Sequence, residues 1–483
     1  MKKKTKVMWI LTVLILVSII LVVSFNTNIV KALIECDNNV VEVESEADEE
    51  MDNTTENSEQ ETENTTDETN TTDQAEDVSE EIIQFKDNNL KSILMDYDKN
   101  KDGELSKTEM ESITEITYAQ NSKVGKIIDL TGLEYAINIT SINLSDNSIE
   151  NIQPLSALTK LTELSLENNK IQDISALSNL TDLTKLYLST NKIENIKALE
   201  NLTKLTLLFL SNNNIVDITP LSNLNLTNWH LGNNKIQDIS PIANNKKLTS
   251  IHLDGNQISD ISPIKNVTNL KELHLQNNQI TDVTPLANLT NMSSIELHSN
   301  KISDIEPLSK LTKLTMLSLG NNNITNIKPL SELKNLGSLS LYGNKINDFS
   351  PITTLSKLTS LSLNNTDLQD ISLLSNLTSL TYVTLGENKI NDITPISKLV
   401  NLSTLELNDN DIHDISALSE LKKLTNLRLS SNKIKDISAL SGLTQLTILY
   451  LNSNDIKDVT PLSGLIKLYG LYLQDNCIKD FEP

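Results

Sequence analysis

From about Ile139 to the end of the chain, apolar residues return in a fixed frame of 22 positions. Leu161, Leu164, Leu166, Asn169, Ile171, Ile174, Leu177 and Leu180 are followed 22 residues later by Leu183, Leu186, Leu188, Asn191, Ile193, Ile196, Leu199 and Leu202. The same frame carries Asn300, Asn344, Asn432 and Asn454. A period of this size marks a solenoid of stacked turns. The Leu-x-Leu pair of each turn predicts a short strand whose alternate side chains face opposite sides. The leucines point inward, where one turn cannot cover them and stacked neighbours can. The Asn after the strand both donates and accepts, so a column of them can satisfy backbone groups where the chain turns. Asp260–Pro263 and Asp282–Pro285 suit a tight return made of 3₁₀ turns or extended chain. The expected fold class is an α/β repeat solenoid with a parallel sheet on its concave side.

Fifteen full turns begin between Ile139 and Leu446, and a sixteenth begins at Leu468 and runs to Pro483. The turn starting at Leu205 is one residue short. Thr366 interrupts the Asn column, and Asn245 replaces an inward leucine. Local irregularity is expected at both.

Residues 82–138 follow another pattern. Leu90, Ile93, Leu94 and Tyr97 fall on one face of a helix. Met110, Ile113 and Ile116 make a narrower stripe and predict a second helix. Two helices ahead of the first turn form a helical N-terminal cap, which an open solenoid end requires. Between them, the segment from Asp98 to Glu109 fits a calcium-binding EF-hand loop. Asp98, Asn100 and Asp102 supply side-chain oxygens, Gly103 the sharp turn, and Glu104 a backbone carbonyl. Leu105 packs inward, Ser106 holds the ninth place, and Glu109 is the closing carboxylate. The competing reading is a polar loop with a degenerate match, and no second loop is present to pair with this one.

Counting the first leucine of Leu-x-x-Leu-x-Leu as position 1, positions 3, 5 and 7 face the concave side. Position 5 reads Asn143, Ser165, Tyr187, Phe209, His230, His252, His274, Glu296 and then serines. His298 stands beside it at position 7, and Asp254 and Glu272 flank it. Strands about 4.8 Å apart place such rings against one another. Three readings remain open: histidines copied by repeat duplication at a free position, an anchor patch for a protein partner, and a zinc-type site using imidazoles and Glu296. A second patch holds Tyr382, Arg428, Ile448, Tyr450 and Tyr472; Arg428 is the chain's one arginine and suits a partner carboxylate.

Composition changes the picture at the N-terminal side. Of the net charge of −24, −19 falls in residues 37–81, leaving −5 for the rest. With no basic face available, nucleic acid is not an expected partner. Residues 33–81 read as a disordered acidic tether, because they cannot bury enough apolar surface to fold. Residues 1–32 read as a signal peptide, with a basic start, an uncharged run from Val7 to Phe25 and the small-residue pattern Val30-Lys31-Ala32. An uncleaved membrane anchor is the alternative. Cys36 and Cys477 stand too far apart in sequence to suggest a disulfide framework. No phosphate loop, nucleophile elbow or paired acid–base motif occurs, so an enzyme is not expected. Asp173, Asp217 and Asp260 recur with the repeat and are read as part of its turns.

The repeat Leu-Thr-x-Leu-x-Leu-x-x-Asn-x-Ile-x-Asp-Ile-x-Pro-Leu-x-x-Leu resembles the internalin-type leucine-rich repeats of Gram-positive surface proteins. Gly132–Thr140 and Phe85–Leu90 resemble the same family. The resemblance implies a curved right-handed horseshoe, secreted or attached at the cell surface, that binds proteins through its concave side and acts in adhesion. A host or envelope protein is the implied kind of partner. No Leu-Pro-x-Thr-Gly signal follows the repeats, and the EF-hand loop and acidic tether are additions to the family pattern. The alternatives are a structural envelope protein, with the solenoid as spacer, and a metal-capturing surface protein using the histidine column. Mass spectrometry of the protein from its producing cell is expected to find a first residue after Ala32; an intact Met1 would reject cleavage.

Overall fold

The computed structural model describes residues 80–118 and 125–479. The expected leader, most of the acidic tether and Cys36 lie outside the described residues. Among the described residues, no helix is long and apolar enough to cross a membrane.

Seventeen three-residue strands stand in sequence order in one open parallel sheet, from β1 (Glu115–Thr117) and β2 (Ser141–Asn143) to β17 (Gly470–Tyr472). Pairing is in register throughout, so Glu272 of β8 (Glu272–His274) faces Ser250 of β7 (Ser250–His252), and His274 faces His252. Each chain return is a 3₁₀ turn, such as Ser262–Asn266 or Thr284–Leu286, several with Pro in the first turn. Proline suits that place because its fixed φ is already helical and its missing N–H is not needed there. The turn opens with an Asp side chain: Asp217 accepts the Thr219 N–H and Asp260 the Ser262 N–H, at 2.8 and 2.7 Å. These recurring aspartates are therefore turn caps, as their spacing suggested.

The Asn column carries the connection between turns. The Asn278 side-chain amide donates to Leu275 O at 3.1 Å and to Leu253 O of the preceding turn at 2.9 Å. Its oxygen accepts the Ile258 N–H at 2.9 Å. With a longer contact to Gln276 O at 3.3 Å, one side chain thus serves four backbone groups in two turns. A second ladder runs along the strand starts, where Thr162 Oγ1 donates to Thr140 O and Thr184 Oγ1 to Thr162 O. The residue before each ladder Asn is left-handed, as at Asn168, Asn277 and Gly255 (φ +62°). That column was not read from the sequence, although its richness in Asn, Asp, Ser and Gly is the composition such a backbone favours.

Two expected irregularities part ways. At Thr366 the ladder does change. Thr366 is fully buried and its hydroxyl donates to Leu363 O at 2.8 Å, but it has no amide to serve the neighbouring turn. The bond from Asn323 N to Ile302 O in the regular turns is replaced one turn later by Asn347 N to Thr325 O. Asn245, by contrast, leaves the turn regular, because its amide donates to Leu221 O at 3.2 Å. In the turn that follows the short one, Trp229, fully buried, takes an inward leucine's place in β6 (Asn228–His230).

The cap departs from expectation in its second helix. The first, α1 (Asn88–Leu94), continues as a 3₁₀ turn over Met95–Tyr97, and Leu90 and Leu94 are buried as expected. The second, α2 (Lys107–Glu111), is only five residues long. Ile113 lies beyond it, and Ile116 belongs to β1, which pairs with β2 and starts the sheet. A spacing of three fits a helix edge, but pairing with β2 gives the backbone of Glu115–Thr117 more partners. Asp87 ties α1 to the segment that leads into the first turn: one carboxylate oxygen accepts Asn89 and Leu90 N–H, and the other accepts Ile128 and Asp129 N–H.

Asn278→Ala leaves the Ile258 N–H without its partner and takes one of two amide donors from each of the Leu253 and Leu275 carbonyls, which keep Asn256 and Asn300, and should cost about 1–3 kcal/mol. Thr366→Asn restores an amide to the ladder and should stabilise by about 1 kcal/mol. Urea midpoints check both; a Thr366→Asn protein no more stable than its parent would show that the altered turn already meets its hydrogen bonds.

Candidate functional site

The strands place the position-5 side chains on one line at the strand spacing, and the rings respond by stacking. Tyr187 and Phe209 lie with centroids 5.0 Å apart, Phe209 and His230 at 4.0 Å, His230 and His252 at 4.2 Å, and His252 and His274 at 4.0 Å. Interplanar angles run from 6° to 27°. Five consecutive strands therefore carry one unbroken stack, half-buried, with its ring edges at the surface. The sequence expectation placed these residues together, and the structure does so. The contact expected from the strand spacing takes the form of mutual stacking, which hides the ring faces.

The stack ends at a charge pair. His274 Nδ1 lies 3.6 Å from Glu296 Oε2. Burial pushes the His274 imidazolium down, but the contact with Glu296 and the charges of Asp254 and Glu272 outweigh it and leave its pKa raised. Burial pushes Glu296 up, and its His274 partner more than reverses this. The inner rings have no such partner. Burial, with the charge of His274 adding to it, takes His230 down to about 4 and His252 to about 3. Burial thus favours the neutral imidazole in the middle of the stack, while the carboxylate contact favours the protonated form at its end.

The third ligand of the expected metal site changes. Among the described residues, the His/Cys/Asp/Glu trio whose ligand atoms all lie within 4.8 Å of one another is His252, Glu272 and His274. Glu296 is not in it, because it faces the Nδ1 side of His274. Ser250, only 4% exposed, bonds through Oγ to His252 Nε2 at 3.2 Å and to Glu272 Oε2 at 3.3 Å. Beside the stack, Tyr342 was missed in the sequence. Its ring lies 6.3 Å from His298, over Gly320, where any Cβ would strike it. Glycine at position 7 next to an aromatic was the available signal.

The C-terminal patch is internally paired. Arg428 Nε lies 3.3 Å from Glu406, and its guanidinium sits 4.7 Å over the Tyr450 ring, which stacks on Tyr472 at 4.2 Å. Arg428 therefore has a carboxylate of its own within the chain. Cys477 is exposed, as expected.

The loop from Asp98 to Glu109 folds on its own side chains. Asp98 accepts Lys101 N–H at 2.6 Å and Gly103 N–H at 3.1 Å, with Gly103 left-handed (φ +86°). Asn100 accepts Asp102 N–H, and Asp102 accepts Glu104 N–H. The Glu104 side chain turns away to Lys91 at 2.7 Å. Ser106 caps α2 and forms a reciprocal capping pair with Glu109. Glu109, 7% exposed, accepts Ser106 N–H through one oxygen and reaches Lys99 N–H at 2.8 Å with the other. These backbone donors, Ser106 first, hold its carboxyl below the usual range despite burial. The partner strand that a second loop usually provides comes from the chain itself. Ile82 bridges antiparallel to Ser106, Ile83 N–H donates to Leu105 O at 2.8 Å, and Lys107 N–H donates to Glu81 O at 2.8 Å.

A family profile described as leucine rich repeats in two copies matches residues 137–179, 224–266, 268–310, 312–354, 356–398 and 400–442. A second, described as leucine rich repeat, matches residues 159–215. An internalin (InlF) of Listeria monocytogenes is 33% identical, with 82% of this chain and 96% of that one covered and a TM-score of 0.48. A leucine-rich-repeat protein of Leptospira interrogans is 26% identical over 71% of this chain and 93% of its own, with a TM-score of 0.63. The plant peptide hormone receptor RGFR1, solved in complex with RGF2, shares the fold at 18% identity, 77% and 76% coverage and a TM-score of 0.59. No curated protein matches the chain.

The depressed histidines set a pH dependence. Below the unfolded value of 6.5 an unfolded chain takes up protons that folded His230 and His252 refuse until about 4 and 3. Their contribution to stability is therefore present above 6.5 and is lost as pH falls toward those values. His274 works in the opposite sense, through its raised value. A His230→Asn/His252→Asn protein should lose less of its urea midpoint between pH 6.5 and pH 4 than the wild type; equal losses would show that the two imidazoles do not titrate as buried groups.

Proposed function

The chain belongs to the leucine-rich-repeat family, in internalin-like form, and from that premise we propose a non-enzymatic binding protein whose concave sheet face holds a protein partner. The observation that carries the reading is the unbroken stack of rings from Tyr187 to His274 on adjacent strands. A partner is met there by a surface whose side chains are already ordered, so little rotamer freedom is lost on docking. Aromatic groups in such a place supply contact area with few torsions to fix, and the charged groups around them supply the polar rim. That a similar fold in RGFR1 is solved with RGF2 supports a proteinaceous ligand in kind. The uncharged run in residues 7–25 and the kinship with an internalin support export and display at the cell surface, with adhesion or recognition as the task.

Calcium belongs to the same reading. Asp98, Asn100, Asp102, Glu109 and the Glu104 carbonyl match the ligand pattern of the EF-hand loop, with Ser106 at its ninth place. Calcium there would bind the loop to α1 and α2, and through Asp87 and Ile83 to the first turns of the solenoid. The carboxylate of Glu109 would leave its backbone donors to close the site, which sets part of the cost of binding.

Two tests follow. Surface extracts passed over the immobilised protein should yield a partner retained by wild type and lost by an equally folded variant with Tyr187, Phe209, His230, His252 and His274 changed to Ala. A partner retained by both would move recognition to another face. Calorimetry with calcium should show binding that Glu109→Gln weakens by at least about tenfold, the loss of roughly 1.4 kcal/mol; the same heat from both proteins would reject the loop as the site.

A further inference from the structure

Beyond partner binding, we propose that His252, Glu272 and His274 form a three-ligand site for a divalent transition metal of the zinc type on the concave face. The geometry begins with register. β7 and β8 pair so that His252 lies opposite His274, while Glu272 stands two residues before His274 on the same side of the sheet. Their ligand atoms lie within 4.8 Å of one another. Two imidazoles and one carboxylate are a donor set that zinc accepts, with a further position left to water. The same donors would serve hard ions such as magnesium poorly, since imidazole suits the later transition metals.

The surroundings of the trio resemble those of a prepared site. A histidine that ligates a metal through one nitrogen commonly gives its other N–H to a carboxylate, which fixes ring and tautomer. His274 has that carboxylate: Glu296 faces its Nδ1 at 3.6 Å and leaves Nε2 for the ion. On the opposite side, the buried Ser250 hydroxyl already holds both His252 Nε2 and Glu272 Oε2, so these two donors converge on one point. The ion would replace that hydroxyl as their common partner. Asp254, beside the stack, adds negative charge that favours a dication. Burial keeps His252 unprotonated at neutral pH, so no proton competes for it there.

One movement is required. The His252 and His274 rings are stacked face to face, 4.0 Å apart and 12° from parallel, so their in-plane lone pairs lie in nearly parallel planes. Zinc needs them to converge, and one ring must turn about χ2. Metal binding therefore breaks the stack at this step, and the aromatic patch and the metal-bound patch are two alternative states of one surface. This makes the inference testable by a signal that simple adsorption to acidic side chains would not give.

The experiment is a zinc titration of the full-length protein, with saturating calcium present to occupy the loop. It compares wild type, Glu272→Gln, His274→Gln and, as control, the distant exposed His413→Gln. Binding is read by calorimetry and the histidine ring resonances by NMR. One zinc per chain is expected at the site. Affinity should fall at least tenfold in Glu272→Gln and His274→Gln and stay unchanged in His413→Gln, and the His252 and His274 resonances should shift together. Urea midpoints of the zinc-free variants establish that they fold. The proposal is overturned if wild type shows no zinc binding, if Glu272→Gln binds like wild type, or if binding leaves the His252 and His274 resonances in place. A variant with only Tyr187, Phe209 and His230 changed to Ala keeps all three ligands and bears on partner binding alone, so the two readings fail separately.

Discussion

Each turn of this solenoid brings backbone carbonyls and N–H groups into a dry interior where no strand can pair with them. The Asn column resolves that conflict. An amide is the one short side chain that can both donate and accept at this place, and the groups it serves belong to two successive turns. Asn278 is therefore both a turn cap and the link between its turn and the one before. Everything else in the repeat follows from keeping that contact: the left-handed residue just ahead of it, the period, and the in-register strands. Where Thr366 removes the amide, the hydrogen-bond frame of the preceding turn shifts, while the inward leucines on either side stay buried.

Register then forces chemistry together. Side chains at one position of successive turns cannot choose their neighbours; the sheet places them one strand spacing apart. A run of Tyr, Phe and three His at position 5 has to stack, and stacking excludes water from the inner rings. Burial without a counter-charge depresses His230 and His252, whereas Glu296 holds His274 in the opposite direction. The same constraint that stabilises the scaffold thus sorts three identical side chains into two electrostatic roles. It also brings Glu272 beside His252 and His274.

The cap shows a different economy. Its helices are short, and most of its order comes from side chains that reach across it. Asp87 divides its two oxygens between α1 and the start of the repeats. Ile83 completes the loop by pairing with Leu105. The N-terminal flank of the cap, the loop and the segment leading into the first turn are therefore one connected hydrogen-bonded unit.

Much of this was legible in the residues alone, because a repeat states its own geometry many times. The inward Leu and Ile positions, the Asn ladder, the 3₁₀ returns and the column of rings all come from periodicity, and periodicity is a local property of the chain. What periodicity could not supply was the interaction between side chains in different turns. It did not distinguish Glu272 from Glu296 as the neighbour of two imidazoles, nor show that Arg428 already has Glu406, nor that Asn245 keeps its turn regular while Thr366 does not. It placed Ile116 on a helix, because a spacing of three is compatible with one; pairing with β2 overrode that preference. Those outcomes turn on rotamers, hydrogen-bond partners and burial, which exist only once neighbouring turns have packed.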